Sequence, residues 1–277
     1  MDQDAIWSLA TGLGAGDKAG FSAVVSDGEW QHRVQLAACY RLFDSLGWTD
    51  TIFNHITLRL DEPGGAAPPA SPAYLINPFG LHYSEVTPAN LVKIDAAGNK
   101  LGPSRYSVNP AGFTIHSVIH SARADAHCVM HTHTTTGIAV ASKQAGLRHD
   151  NFYSALLWGR VAYHAFEGIT TNASEGPRLV DDLADKDVLI LRNHGLLVVG
   201  RSVAHAFETI YALQRACDIQ CLTEAMSGPS QEIPSNVLAA IPQQRAPLAT
   251  DAPLGRMMFS AMVRKLGLPD SAMRYID

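Results

Sequence analysis

Apolar and polar positions along this chain switch between two periods, and the switches mark out its elements. Over residues 29–46 the apolar side chains Val34, Leu36, Ala37, Tyr40, Leu42 and Phe43 fall at helical spacing, and Gly47 ends the run. That predicts an amphipathic helix. Residues 51–60 alternate instead, with Ile52, Asn54, Ile56 and Leu58 on one side, which predicts a strand. A second strand is expected at 74–77, closed by Pro78-Phe79-Gly80. Turn residues from Pro88 lead into a short apolar run up to Ile94, and Ala97-Gly98-Asn99 reads as a hairpin-like turn. A helix is expected over 111–124, burying Phe113, Ile115, Val118 and Ile119. Strands at 128–133, 156–164, 187–191 and 196–199 follow, with a helix over 134–145 after the first of them. The longest helical pattern, 202–226, carries Val203, Phe207, Ile210, Leu213, Ala216 and Cys217.

Strands and helices mix here without a regular strand–helix–strand alternation. That argues for an α+β fold built on a central, mostly antiparallel sheet flanked by helices. The Gly/Ala/Ser-rich residues 1–28 read as a mobile N-terminal arm, 29–227 as one domain, and 228–277 as a Pro/Ala-rich C-terminal tail with a short helix at 257–266. The Gly/Pro/Ala stretch 63–72 reads as an exposed loop. A net charge of −5 with no basic run argues against nucleic acid as a partner. No apolar stretch approaches the roughly 20 residues of a membrane span, and the N-terminus is acidic, so a cytoplasmic protein with no membrane partner is expected. The four cysteines (39, 128, 217 and 221) form no pairing pattern and are expected to stay reduced.

Candidate chemistry concentrates in His131-Thr132-His133 and Asn193-His194-Gly195. Alternation along a strand puts residues i and i+2 on one face, so His131 and His133 can aim two imidazoles at one point. His194 follows the apolar run Val188–Leu191, and Gly195 lets the backbone turn beside it. Three imidazoles with an open position are a common way to hold one divalent ion. Zinc, manganese and iron all remain open at this point.

The stretch from about Trp30 to Leu222 resembles the class II aldolase/adducin family. The segments that carry the resemblance are Asn54-His55-Ile56-Thr57-Leu58-Arg59, Ile76-Asn77-Pro78-Phe79-Gly80, His116 to His133, and Arg192-Asn193-His194-Gly195-Leu196. The resemblance implies a class II aldolase-like fold, a ring-shaped homotetramer with active sites between subunits, a small-molecule substrate, and a divalent metal on His131, His133 and His194. It also exposes departures. The sugar-phosphate aldolases of the family carry Ser-Ser-Glu where this chain has Pro110-Ala111-Gly112, so the glutamate that shuttles a proton, and can touch the metal, is a glycine. Their phosphate-holding Thr-Pro-Ser-Gly loop reads Asn77-Pro78-Phe79-Gly80. Only Asn54 is kept from the phosphate cradle. The Asn109-Pro110-Ala111-Gly112-Phe113 version looks like the adducin-like branch, which includes proteins with no catalysis.

A phosphorylated sugar is therefore not the expected substrate. The expectation is a metal-dependent carbon–carbon lyase, of decarboxylase or aldolase type, acting on an unphosphorylated hydroxy or oxo acid, aromatic acids included. A non-heme iron oxygenase performing oxidative decarboxylation of an aryl 2-oxo acid is one alternative, and a non-enzymatic adducin-like scaffold is another. His116, His82 and Tyr163 are candidate catalytic groups, and Asn54, Asn77, Gly80 and Arg192 candidate substrate contacts. Glu167 is a candidate partner for a ligand histidine, and Phe152, Tyr153 and Trp158 could line an aromatic pocket.

Overall fold

A computed structural model describes residues 25–60, 72–169, 173–249, 253–268 and 270–276. The expected arm up to residue 24, and the 63–72 loop but for its last residue, lie outside the described residues. In chain order the elements are α1 (Asp27–Ser45), β1 (His55–Leu60), β2 (Ala73–Ile76), β3 (Val92–Ile94), α2 (Pro110–Ala122), β4 (Cys128–Thr132) and α3 (Thr135–Ala141). Then come α4 (Phe152–Ala155), β5 (Val161–His164), α5 (Gly176–Leu183), β6 (Val188–Leu191), β7 (Gly195–Gly200) and α6 (Val203–Ala225). Three C-terminal helices follow: α7 (Ser235–Ala249), α8 (Pro253–Lys265) and α9 (Asp270–Met273).

The strands form one sheet in the order β3-β2-β1-β4-β7-β6-β5, antiparallel throughout except for the β5–β6 pair. Its two faces bury different layers. Along β4, Cys128 and Met130 join the large core under α1, α6 and α8, while Val129 joins Ile115 and Ile119 of α2 and Leu179 and Leu183 of α5. His131 continues the Val129 face, and its cross-strand partner on β1 is His55. Helix ends are closed by side chains: Ser26 caps α1 by accepting from the Glu29 N–H at 3.2 Å, and Ser202 caps α6 by accepting from the His205 N–H at 3.2 Å.

Several boundaries differ from expectation, each for a local reason. The first strand begins at His55 rather than residue 51, because Thr51 and Asn54 turn the chain with positive φ of 49° and 70°. The 156–164 strand shortens to Val161–His164, since residues 155–160 close tight turns with Trp158 N–H donating to the Ala155 carbonyl and Arg160 N–H to that of Leu157. The 134–145 helix stops at Ala141. The 228–277 segment carries three helices rather than one short one. Pro242 and Pro247 sit inside α7, where each removes a single N–H, and α8 sends Phe259 and Val263 into the main core. Among the described residues no helix is long and apolar enough to cross a membrane.

Candidate metal centre

His131 and His133 leave the end of β4 on one face, as period two requires, and His194 arrives from the β6–β7 turn. Asn193 takes a left-handed φ of 58°, a conformation that asparagine tolerates better than most residues. That sharp turn aims His194 back at the pair. Beside it Gly195 lies so close to β4 that a Cβ there would fall within contact distance of the Thr132 carbonyl oxygen. Past His133, Thr134 caps α3 by accepting from the Gly137 N–H at 3.2 Å and donates to Gln214 on α6 at 2.6 Å.

The three imidazoles converge through their Nε2 atoms. His131 and His133 Nε2 are 2.8 Å apart, and His133 and His194 Nε2 are 3.0 Å apart. Their second nitrogens settle which atoms carry lone pairs. His131 Nδ1 lies 2.9 Å from the Leu196 carbonyl, which can only accept, so Nδ1 holds the proton. His133 Nδ1 lies 3.1 Å from the Asp50 carboxylate and donates to it in the same way. In the neutral rings both Nε2 atoms then present lone pairs to each other, which is repulsive unless a cation stands between them. Burial first, and the neighbouring imidazoles second, push His131 well below the usual imidazole range and His194 down to about 4. The donor set therefore fits a divalent ion, and Asp50 is the carboxylate that orients one of its ligands. We expect Asp50→Asn to weaken zinc binding about 10–100-fold, measured by chelator competition; an unchanged affinity would remove Asp50 from the centre.

Behind the centre lies a file of buried histidines. His120 Nδ1 sits 2.6 Å from the Ala126 carbonyl, so it donates there and leaves Nε2 to accept from the Thr57 hydroxyl at 2.7 Å. Thr57 Oγ1 must then accept from His116 Nδ1, also at 2.7 Å. This leaves the His116 Nε2 lone pair without a partner. His55 stacks on His116 with ring centroids 4.1 Å apart and meets the His131 ring at 5.5 Å. Its own Nε2 is buried and unpartnered, and burial, followed by the nearby His133, holds its pKa down at about 3. A Cβ placed on Gly112 would come within 2.6 Å of His55 Nδ1, so the imidazole fills the space of any side chain at that position.

His55, His116, His131 and His194 are thus all held neutral, whereas in an unfolded chain they would protonate near pH 6.5. The resulting stability is complete above about pH 6.5 and is lost as pH falls toward the folded values, by up to about 1.4 kcal/mol per pH unit for each group. Denaturation midpoints of metal-free protein should fall clearly between pH 7 and 5.5. A flat midpoint would mean that these groups do not stay neutral.

The other expected site residues are scattered. His116 lies beneath His55 and is fully buried rather than lining an open site. Asn54 stands next to His55, with Oδ1 buried and unpaired. Asn77 is held by Tyr40, whose hydroxyl accepts from its N–H at 3.2 Å and lies 3.0 Å from its Oδ1. Gly80 is exposed with φ of 95°, at a turn, and His82 caps a 3-10 turn through Ser84. Tyr163 lies on the opposite face of the sheet, accepting from the Leu147 N–H at 3.0 Å, and Arg192 stacks 4.1 Å over its ring and donates to the Lys143 carbonyl. Glu167 pairs with Arg178 and not with a ligand histidine, so Asp50 takes the role expected of it. Phe152 is exposed and meets the Tyr153 ring edge-on at 5.4 Å, Tyr153 also packs against Tyr211, and Trp158 packs against His149. Sequence reasoning missed His55 and Asp50. His55 carried a usable signal, since an alternating strand pattern put a histidine one residue from Asn54.

The fold is thus a mostly antiparallel α+β sheet, with three imidazoles compatible with a metal ion converging where β4 ends and β7 begins. The chain belongs to the Class II Aldolase and Adducin N-terminal domain family, which it matches over residues 34–221. The solved structure of an aldolase II superfamily protein from Pseudomonas syringae is 42% identical, with a TM-score of 0.81, over 92% of this chain and 98% of that one. The L-fuculose 1-phosphate aldolase from Glaciozyma antarctica is 29% identical with a TM-score of 0.68, over 81% and 84% of the two chains. Alpha-adducin of Rattus norvegicus is 44% identical over 216 residues, which are 76% of this chain and 28% of that longer protein.

Proposed function

We propose that this protein is a metal-dependent carbon–carbon lyase acting by decarboxylation on an unphosphorylated hydroxy or oxo acid. It would work as a homotetramer in the cytoplasm, with a zinc, manganese or iron ion on His131, His133 and His194. The observation that carries the reading is the convergence of these three Nε2 atoms, with an imidazole, not a carboxylate, in the space at Gly112. A bound divalent ion would supply Lewis acidity, stabilising by several kcal/mol the negative charge that develops on the substrate. Decarboxylation asks little else of the protein, because CO2 leaves without a base having to take a proton from carbon. An aldol cleavage, by contrast, needs a group to move the hydroxyl proton, and glycine has none to offer. Asn54, next to His55 in the chain and with a buried, unpaired Oδ1, is the side chain assigned to accept from a substrate donor.

The similarity to alpha-adducin favours a second reading, a non-catalytic scaffold. A scaffold has no use for the facing lone pairs of His131 and His133, which repel one another without a cation. The two readings separate on metal content together with CO2 release and O2 uptake across a panel of hydroxy and 2-oxo acids. Near-stoichiometric zinc or manganese with CO2 release and no O2 uptake is the expected result. Iron with substrate-dependent O2 uptake would replace the lyase with an oxygenase. Absence of both metal and turnover would favour the scaffold.

A further inference from the structure

His55 borders the centre without being one of the three histidines whose ligand nitrogens lie within 4.8 Å of one another. It lies directly opposite His131 in the β1–β4 ladder, so the two side chains share a face as a cross-strand pair. Its ring meets that of His131 edge-on at 5.5 Å and stacks on His116 at 4.1 Å. The ring is fixed at one nitrogen only, through the backbone of Gly112, while Nε2 is buried with no partner. An unsatisfied buried acceptor is destabilising, so a fold that keeps one needs something to fill it. Gly112 completes the picture, because its missing side chain is what admits the imidazole, to within 2.6 Å of where a Cβ would stand.

We propose that His55 is a fourth protein nitrogen for the metal, occupying the space from which a side chain at position 112 is excluded; this rests on the metal-dependent reading above. Its Nε2 is the donor atom. Thr57 and His120 hold His116 in one tautomer beneath it, so the ring that supports His55 is itself fixed. Four neutral imidazoles leave the full double positive charge of the ion to the substrate, where a carboxylate ligand would have halved the net charge. Such a centre favours substrates that chelate through two anionic oxygens, a carboxylate with an adjacent hydroxyl able to ionise.

The test is zinc affinity by chelator competition, together with the visible absorption of the cobalt-substituted protein, for wild type, His55→Ala, His55→Phe and His131→Ala. The phenylalanine variant keeps the ring shape and removes both nitrogens, and thermal melting reports on folding in each. Zinc binding at least tenfold weaker in both His55 variants, with an altered cobalt spectrum, is expected. Affinities within twofold of wild type and an unchanged spectrum would overturn the role of His55 while leaving the three-histidine centre intact. Wild-type protein that binds neither metal would overturn both. A further variant sharpens the test: His55→Ala with Gly112→Glu should regain zinc affinity relative to His55→Ala, because the vacated space can then take a carboxylate.

Discussion

Replacing His131 with alanine should abolish metal retention while leaving the metal-free fold nearly as stable as before. His131 Nε2 faces His133 Nε2 at 2.8 Å, and the Leu196 carbonyl holds the proton on its Nδ1, so it is both a converging donor and a source of lone-pair repulsion in the metal-free site. Its loss must weaken binding by more than the roughly 10–100-fold that loss of an orienting partner costs. In the metal-free protein the effects oppose one another. Truncation leaves a small cavity and frees the Leu196 carbonyl, but removes the repulsion and the penalty of burying an imidazole. The clearest readout is therefore the stabilisation given by added zinc. Wild type should gain about 4 kcal/mol at a thousandfold excess of zinc over its Kd, and the variant almost nothing. Equal zinc-induced shifts in melting temperature would refute the assignment of the centre.

Gly195→Ala should damage both fold and centre through a single methyl group. A Cβ there would enter contact distance of the Thr132 carbonyl and lie 3.3 Å from both His131 Cε1 and His133 Cδ2. The obstacle is backbone, so no rotamer change relieves it. The β4–β7 ladder would have to open where Thr132 pairs with Leu196. Overpacking of this kind costs about 3 kcal/mol, or about 5 °C in melting temperature for a chain of this size. Zinc affinity should fall as well, because the displaced segments carry all three ligand histidines. A melting temperature within a degree of wild type would show that the strands tolerate the separation.

The helices and strands that bury one face were legible in the sequence because their apolar spacing is a local property. The pattern Val203, Phe207, Ile210 and Leu213 marked α6 to within a residue at each end. Strand starts were less legible where the chain turns with positive φ on residues other than glycine, as at Thr51 and Asn54. Helix α7 was not legible in a stretch expected only as a Pro/Ala-rich tail, because each proline removes an N–H, a loss this helix accommodates at Pro242 and Pro247.

The same division holds at the candidate site. The sequence by itself determined the His131/His133 pair, since a two-residue strand period is enough to put both imidazoles on one face, and it marked His194 by the turn that follows an apolar strand. It also determined that position 112 carries no acid. Only the tertiary structure decided what stands there instead. His55 reaches the centre because β1 pairs with β4 in a register that sets it opposite His131, and because α2 approaches closely at Gly112. Asp50 meets His133 across 83 residues of sequence. No local period encodes either contact, because each depends on which strands become neighbours and on how closely their backbones pack.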